Sequence, residues 1–169
     1  DIFVFFDGTK NTPKSNTNVV RLYRLITEDN KPGVLTRYFD GVGSIRFPLT
    51  GAWLGKDMED KILDGYSFLA RNYQEGDRIF IIGFSRGAHQ ARALAGFIAY
   101  AGIQPDDERD RRLKRKSNRI LELVKRKKDA DFINDWKIWT PSAGPLLGAE
   151  IKRTLGIDTR AAQVAFLGV

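Results

Sequence analysis

The chain contains no cysteine, which excludes disulfides and thiol catalysis while remaining compatible with a reducing or an oxidising compartment. It contains one histidine, His89, so imidazole chemistry has a single candidate. No apolar run approaches the ~20 residues of a membrane span, and the opening stretch Asp1 to Phe6 is too short and wrongly flanked for a secretory signal. A soluble chain without a visible targeting segment is expected. The excess of basic charge is concentrated in one segment: Arg109 to Lys128 holds eleven basic and two acidic side chains, a balance of +9 within a net charge of +7, which leaves the remainder at −2. That run lacks interleaved aromatics for base stacking, so no specific nucleic-acid partner is expected. A solvated helical face is its ordinary role, and contact with an anionic membrane surface is the sharper one.

What is present is the composition of a folded domain. The chain is 42% hydrophobic and 11% aromatic, which argues against disorder, and 169 residues suit one domain with one core. Ile2 to Phe6 is continuously apolar, as strands buried on both faces are. It ends at Asp7-Gly8-Thr9, and Thr17-Asn18 then caps a helix with Val19, Leu22, Tyr23 and Ile26 on one face. Val34 to Phe39 reads as a second strand, followed by Asp40-Gly41-Val42-Gly43. The segment Ser44 to Lys56 reads as a long apolar loop bordering a site, and Asp57 to Gln74 as a helix with Ile62, Tyr66, Leu69 and Tyr73 inward.

Arg78 to Ile82 reads as a third strand and Ala88 to Ile98 as a helix ended by Gly102. Residues 106–160 read as a variable, lid-like insertion. It carries one or two exposed basic helices over 109–128, an aromatic cluster of Phe132, Trp136, Ile138 and Trp139, and a short helix around Ala149 to Leu155. Ala162 to Val169 reads as another central strand. The alternation predicts an α/β fold, a mostly parallel sheet with helices on both faces in three αβα layers, as a single domain over 1–169.

The sharpest motif is Gly83-Phe84-Ser85-Arg86-Gly87, standing between a predicted strand and a predicted helix. That is the setting of a nucleophile elbow, in which a strained turn exposes the serine and the glycines let strand and helix cross closely. Ser85 is the catalytic candidate. The Arg86 amide is positioned as one oxyanion donor, with Gly8 or Thr9 after the first strand as the second. The ordinary reading of Asp7-Gly8-Thr9 is a tight turn. The base is missing: His89 lies one turn along the same helix, on its flank, which suits packing or surface exposure better than proton transfer. In α/β-hydrolases the acid and then the histidine follow the serine, and those positions fall beyond Val169, so the domain is expected to be incomplete at its carboxyl end.

The stretches Phe5-Phe6-Asp7-Gly8-Thr9 with Asn11-Thr12, Thr17-Asn18-Val19 with Arg21-Leu22, Tyr38 to Gly43, and Ile82 to Ala88 with Ala91-Arg92 resemble an uncharacterised α/β-hydrolase domain family that includes type VI secretion lipase effectors of bacteria. The resemblance covers roughly residues 1–102 and 162–169. It implies a serine esterase acting on phospholipids or other acyl esters, with Ser85 as nucleophile, Gly8 and Thr9 near the oxyanion site, and no metal or organic cofactor. In that family a stretch like Phe166 to Val169 is followed by Trp-Asp-Thr, whose aspartate is the triad acid. The resemblance further implies a bacterial cytoplasmic protein or a secreted effector. The reading from a different class is a noncatalytic interaction or anionic-surface-binding module. Oligomeric state is left open by the sequence.

Overall fold

The computed structural model describes residues 1–41, 51–107, 110–126 and 146–169. Four parallel strands form the sheet: β1 (Ile2–Phe6), β2 (Leu35–Phe39), β3 (Ile79–Gly83) and β4 (Val164–Gly168), in the order β2-β1-β3-β4. Around them are α1 (Asn18–Glu28), α2 (Gly51–Asn72), α3 (Arg86–Ala101), α4 (Asp110–Arg126) and α5 (Gly148–Leu155). The α/β class and the parallel sheet read from the sequence are what the structure has. Phe6 is in register with Phe39 on one side and Gly83 on the other, so the carboxyl ends of the three strands lie side by side.

Alternation along β1 sends its side chains to two different layers. Phe6 packs against Gly65 of α2 and Leu94 of α3, whereas Phe5 meets the Tyr23 ring of α1 edge-on at 5.6 Å between centroids. Helices therefore cover both faces. The chain leaves β1 toward β2 on one side and leaves β3 toward β4 on the other, so the strand order reverses between β1 and β3. In open α/β sheets the crevice outside such a reversal is where ligands bind.

The main core lies between the sheet and α2 and α3, where Val4, Phe6, Ile79, Ile81, Tyr66, Leu69, Leu94 and Ile98 are all buried. Tyr66 stacks on Phe97 at 4.2 Å and donates to the Gly102 carbonyl at 2.8 Å. Burial raises the Tyr66 pKa, which keeps it a donor. α4 docks on α2 and α3. Its Leu113 and Ile120 are fully buried, and Ser117 accepts from Gln104 Nε2 at 2.8 Å. The segment expected to be exposed is thus amphipathic, with a solvated flank and an apolar stripe that closes the core.

Three expectations are corrected. Val20 is buried in α1 in place of Leu22, which is exposed; Val20 sits one position after Val19, and its amide is capped by Thr17. The apolar loop is shorter than expected because 51–56 already belongs to α2, whose helical periodicity begins before Asp57. β4, expected to be central, lies at the edge of the described sheet. Nothing among the described residues pairs with its outer side, and Phe166 is 52% exposed. The Phe132, Trp136, Ile138 and Trp139 cluster, residues 44–50, and Arg109, Lys127 and Lys128 lie outside the described residues.

Candidate functional site

At the carboxyl end of β3 the chain turns through Phe84 and Ser85 directly into α3. Ser85 has φ 56° and ψ −122°, a backbone conformation that costs a residue with a Cβ on the order of 1–3 kcal/mol. The turn is fixed on both sides: Phe84 N–H donates to the Phe6 carbonyl at 3.1 Å, and Gly87 N–H to the Phe84 carbonyl at 2.9 Å. A Cβ at Gly83 would run into the Gly87 carbonyl, and one at Gly87 into the Phe6 carbonyl. Both obstacles are backbone, so neither can swing aside. Gly87→Ala is accordingly expected to destabilise the protein by about 3 kcal/mol in chemical denaturation; an unchanged midpoint would contradict this crossing.

Serine is a favoured helix cap, so Ser85 had an ordinary structural role available. It does not take it. Ser85 stands at the N-cap of α3 without a side-chain cap hydrogen bond, and it is exposed. The Arg86 amide is the first of the helix, where amides lack an intrahelical acceptor and the helix dipole adds partial positive charge. Phe84, the residue before Ser85, is 54% exposed.

Opposite the turn, across the strand-order reversal, lies the end of β1. Asp7 is fully buried, and its two carboxyl oxygens accept from four groups. Oδ1 accepts from Gly8 N–H at 2.7 Å and Asn11 Nδ2 at 3.1 Å; Oδ2 accepts from Thr17 Oγ1 at 2.6 Å and Tyr38 Oη at 2.7 Å. Thr17 also accepts from Val20 N–H at 3.2 Å, so one acid ties the end of β1 to the start of α1 and to β2. Burial, followed by the bond to Asp7, raises the Tyr38 pKa well above its ordinary value, which keeps that hydroxyl a donor. Asn11 completes the frame, donating its amide to Gly8 O at 2.9 Å and accepting from Gly41 N–H at 2.8 Å.

This frame distinguishes the two residues singled out after β1. Gly8 N–H is already spent on Asp7, whereas the Thr9 amide has no hydrogen-bond partner among the described residues. Gly8 instead gives room: a Cβ there would lie 2.8 Å from the Phe84 ring. The structure thus brings Ser85, Arg86, Gly8 and Thr9 to one end of the sheet, at the two strands that flank the reversal. His89 is exposed on α3 and makes no hydrogen bond to Ser85. Asp7 was missed as anything beyond a turn residue. Its signal was an acid placed directly after five apolar residues and followed by a loop of Thr, Asn and Ser donors.

No described helix is long and apolar enough to cross a membrane. A protein of Saccharomyces cerevisiae, the uncharacterized protein YEL023C, is 31% identical over a 121-residue alignment that covers 61% of this chain and 18% of the relative. The match thus spans less than a fifth of that relative's length, and its origin shows that the pattern is not confined to bacteria. No solved structure matches the chain. The family model described as "T6SS, Phospholipase effector Tle1-like, catalytic domain" matches residues 1–169. With that match over its whole length, the chain belongs to the family of Tle1-like catalytic domains of type VI secretion phospholipase effectors.

Proposed function

We propose that this chain carries the nucleophile and the oxyanion donors of a serine hydrolase of the α/β-hydrolase type, which cleaves carboxylic esters of phospholipids or related lipids. The observation that supports it most is the backbone of Ser85: an exposed, uncapped hydroxyl held at φ 56° on the turn from β3 into α3. A residue kept in a costly conformation while its side chain does no structural work fits a role in chemistry. Ser85 Oγ attacks the ester carbonyl as its proton passes to a base, and the tetrahedral intermediate collapses to an acyl-enzyme by breaking the bond to the alcohol, which leaves with that proton. The amides of Arg86 and Thr9 stabilise the negative charge on the carbonyl oxygen, and Gly8 shapes the turn that presents Thr9. Phe84 supplies an apolar wall for an acyl chain.

Neither His89 nor Asp7 is assigned as base or acid in this reading. His89 does not bond Ser85, and Asp7 is fully engaged by four donors. The family supports the phospholipid class and the route of a secreted effector. The test is release of fatty acid from mixed phospholipid micelles by the intact protein and by Ser85→Ala. The alternative, a noncatalytic module for anionic surfaces, draws support from the cations of α4. Anionic-surface contact by those cations does not by itself exclude hydrolysis at Ser85, since the lining of the groove beside α4 includes no residue of the Ser85 turn.

A further inference from the structure

A groove of about 1140 Å³ runs between α2 and α4 and reaches Arg37 on β2. It is larger than the ~300–1,000 Å³ of ordinary small-ligand pockets, and none of its lining residues belongs to the turns at Ser85 or Asp7. From Lys56 to Arg71 it follows α2 for about 22 Å.

Its charge is uneven in a way that packing does not explain. Six cations and three carboxylates line it. Asp64 is taken by Lys114 at 2.8 Å and Glu59 by Lys125 at 2.6 Å, the two pairs that fasten α4 to α2. Arg111 and Arg115, one helical turn apart on the same flank of α4, form no ion pair among the described residues; neither does Lys56 across the groove. Arg37 rests over the Phe39 ring, its guanidinium 5.3 Å from the centroid. Like charges gathered in a concave wall repel one another and raise the local concentration of anions. The floor is different in kind: Leu63 is buried, Phe68 half-buried, and Ser67 lies between the helices. A cationic rim over an apolar floor fits a ligand with a phosphate at one end and hydrocarbon at the other.

We propose that this groove binds the phosphate headgroup of an anionic phospholipid, at a site separate from Ser85. Arg111 and Arg115 pair with the phosphate oxygens, arginine being suited to forked contact with them, and Leu63 and Phe68 meet the glycerol and first methylenes. Affinity for phosphate follows from the groove itself; the choice of a lipid as its bearer rests on the phospholipase reading above.

The experiment is cosedimentation of the intact protein, in the Ser85→Ala background, with phosphatidylcholine vesicles with and without phosphatidylserine. Arg111→Glu with Arg115→Glu should weaken binding to the anionic vesicles at least about tenfold, since each basic side chain near such a surface is worth roughly 1 kcal/mol. The same charge change on the other flank of α4, Arg112→Glu with Arg119→Glu, should cost less than about threefold. Both flanks are exposed, thermal unfolding verifies the fold, and Arg111→Gln with Arg115→Gln repeats the test without reversed charge. Equal loss from both pairs, or no loss from the groove pair, overturns the site. Binding of soluble glycerol 3-phosphate or duplex DNA that the groove pair abolishes, with no vesicle binding, overturns the lipid. Groove binding without ester hydrolysis by the Ser85 protein would remove only the catalytic reading.

Discussion

Ser85→Ala is expected to lower ester hydrolysis by the intact protein at least about a thousandfold while leaving its stability nearly unchanged. The two halves of that result are linked. Alanine removes the hydroxyl but keeps a Cβ at φ 56°, so the backbone strain persists, and no hydrogen bond is lost because the hydroxyl caps nothing. Ser85→Gly separates them further. Glycine adopts this conformation freely, so the variant should be inactive and more stable by about 1 kcal/mol in chemical denaturation. An ordinary capping serine behaves in the opposite way: its replacement by alanine costs about 1 kcal/mol and leaves hydrolysis alone. Stability and activity read together on these two variants therefore decide what holds Ser85 in its turn.

Asp7→Ala should be the most damaging single side-chain truncation near the site, at about 4 kcal/mol. It leaves Gly8 N–H, Asn11 Nδ2, Thr17 Oγ1 and Tyr38 Oη without their shared acceptor, in a pocket closed to water on the Asp7 side. Domains are stable by only about 5–15 kcal/mol, so a large part of the total is at stake. Asp7→Asn keeps the volume and one acceptor but turns an amide donor toward two hydroxyl donors, and about half that loss is expected. Urea denaturation midpoints measure both. A loss below about 0.5 kcal/mol for Asp7→Ala would mean that Asp7 does not hold β1, α1 and β2 together.

The parallel sheet was legible because its strands are short apolar runs that alternate with helical periodicity, and Gly-x-Ser-x-Gly marked the one turn that must be tight. The Thr17 cap and the Gly102 stop could each be read from local residue types. Long-range facts could not. Nothing local tells that the hydroxyl of Tyr38, thirty-one positions away, reaches Asp7. The groove was invisible as well: the sequence showed a basic run, while the pairing of Lys114 and Lys125 with α2 shows which cations remain over.

The central claim is that Ser85 is an activated nucleophile, and covalent trapping tests it most directly. The intact protein, treated with a fluorophosphonate, should gain the mass of one phosphonyl group, and Ser85→Ala should gain none. Peptide mapping should place the adduct on the tryptic peptide that contains Ser85. Absence of labelling in the folded, intact protein, or equal labelling of Ser85→Ala, would contradict the account.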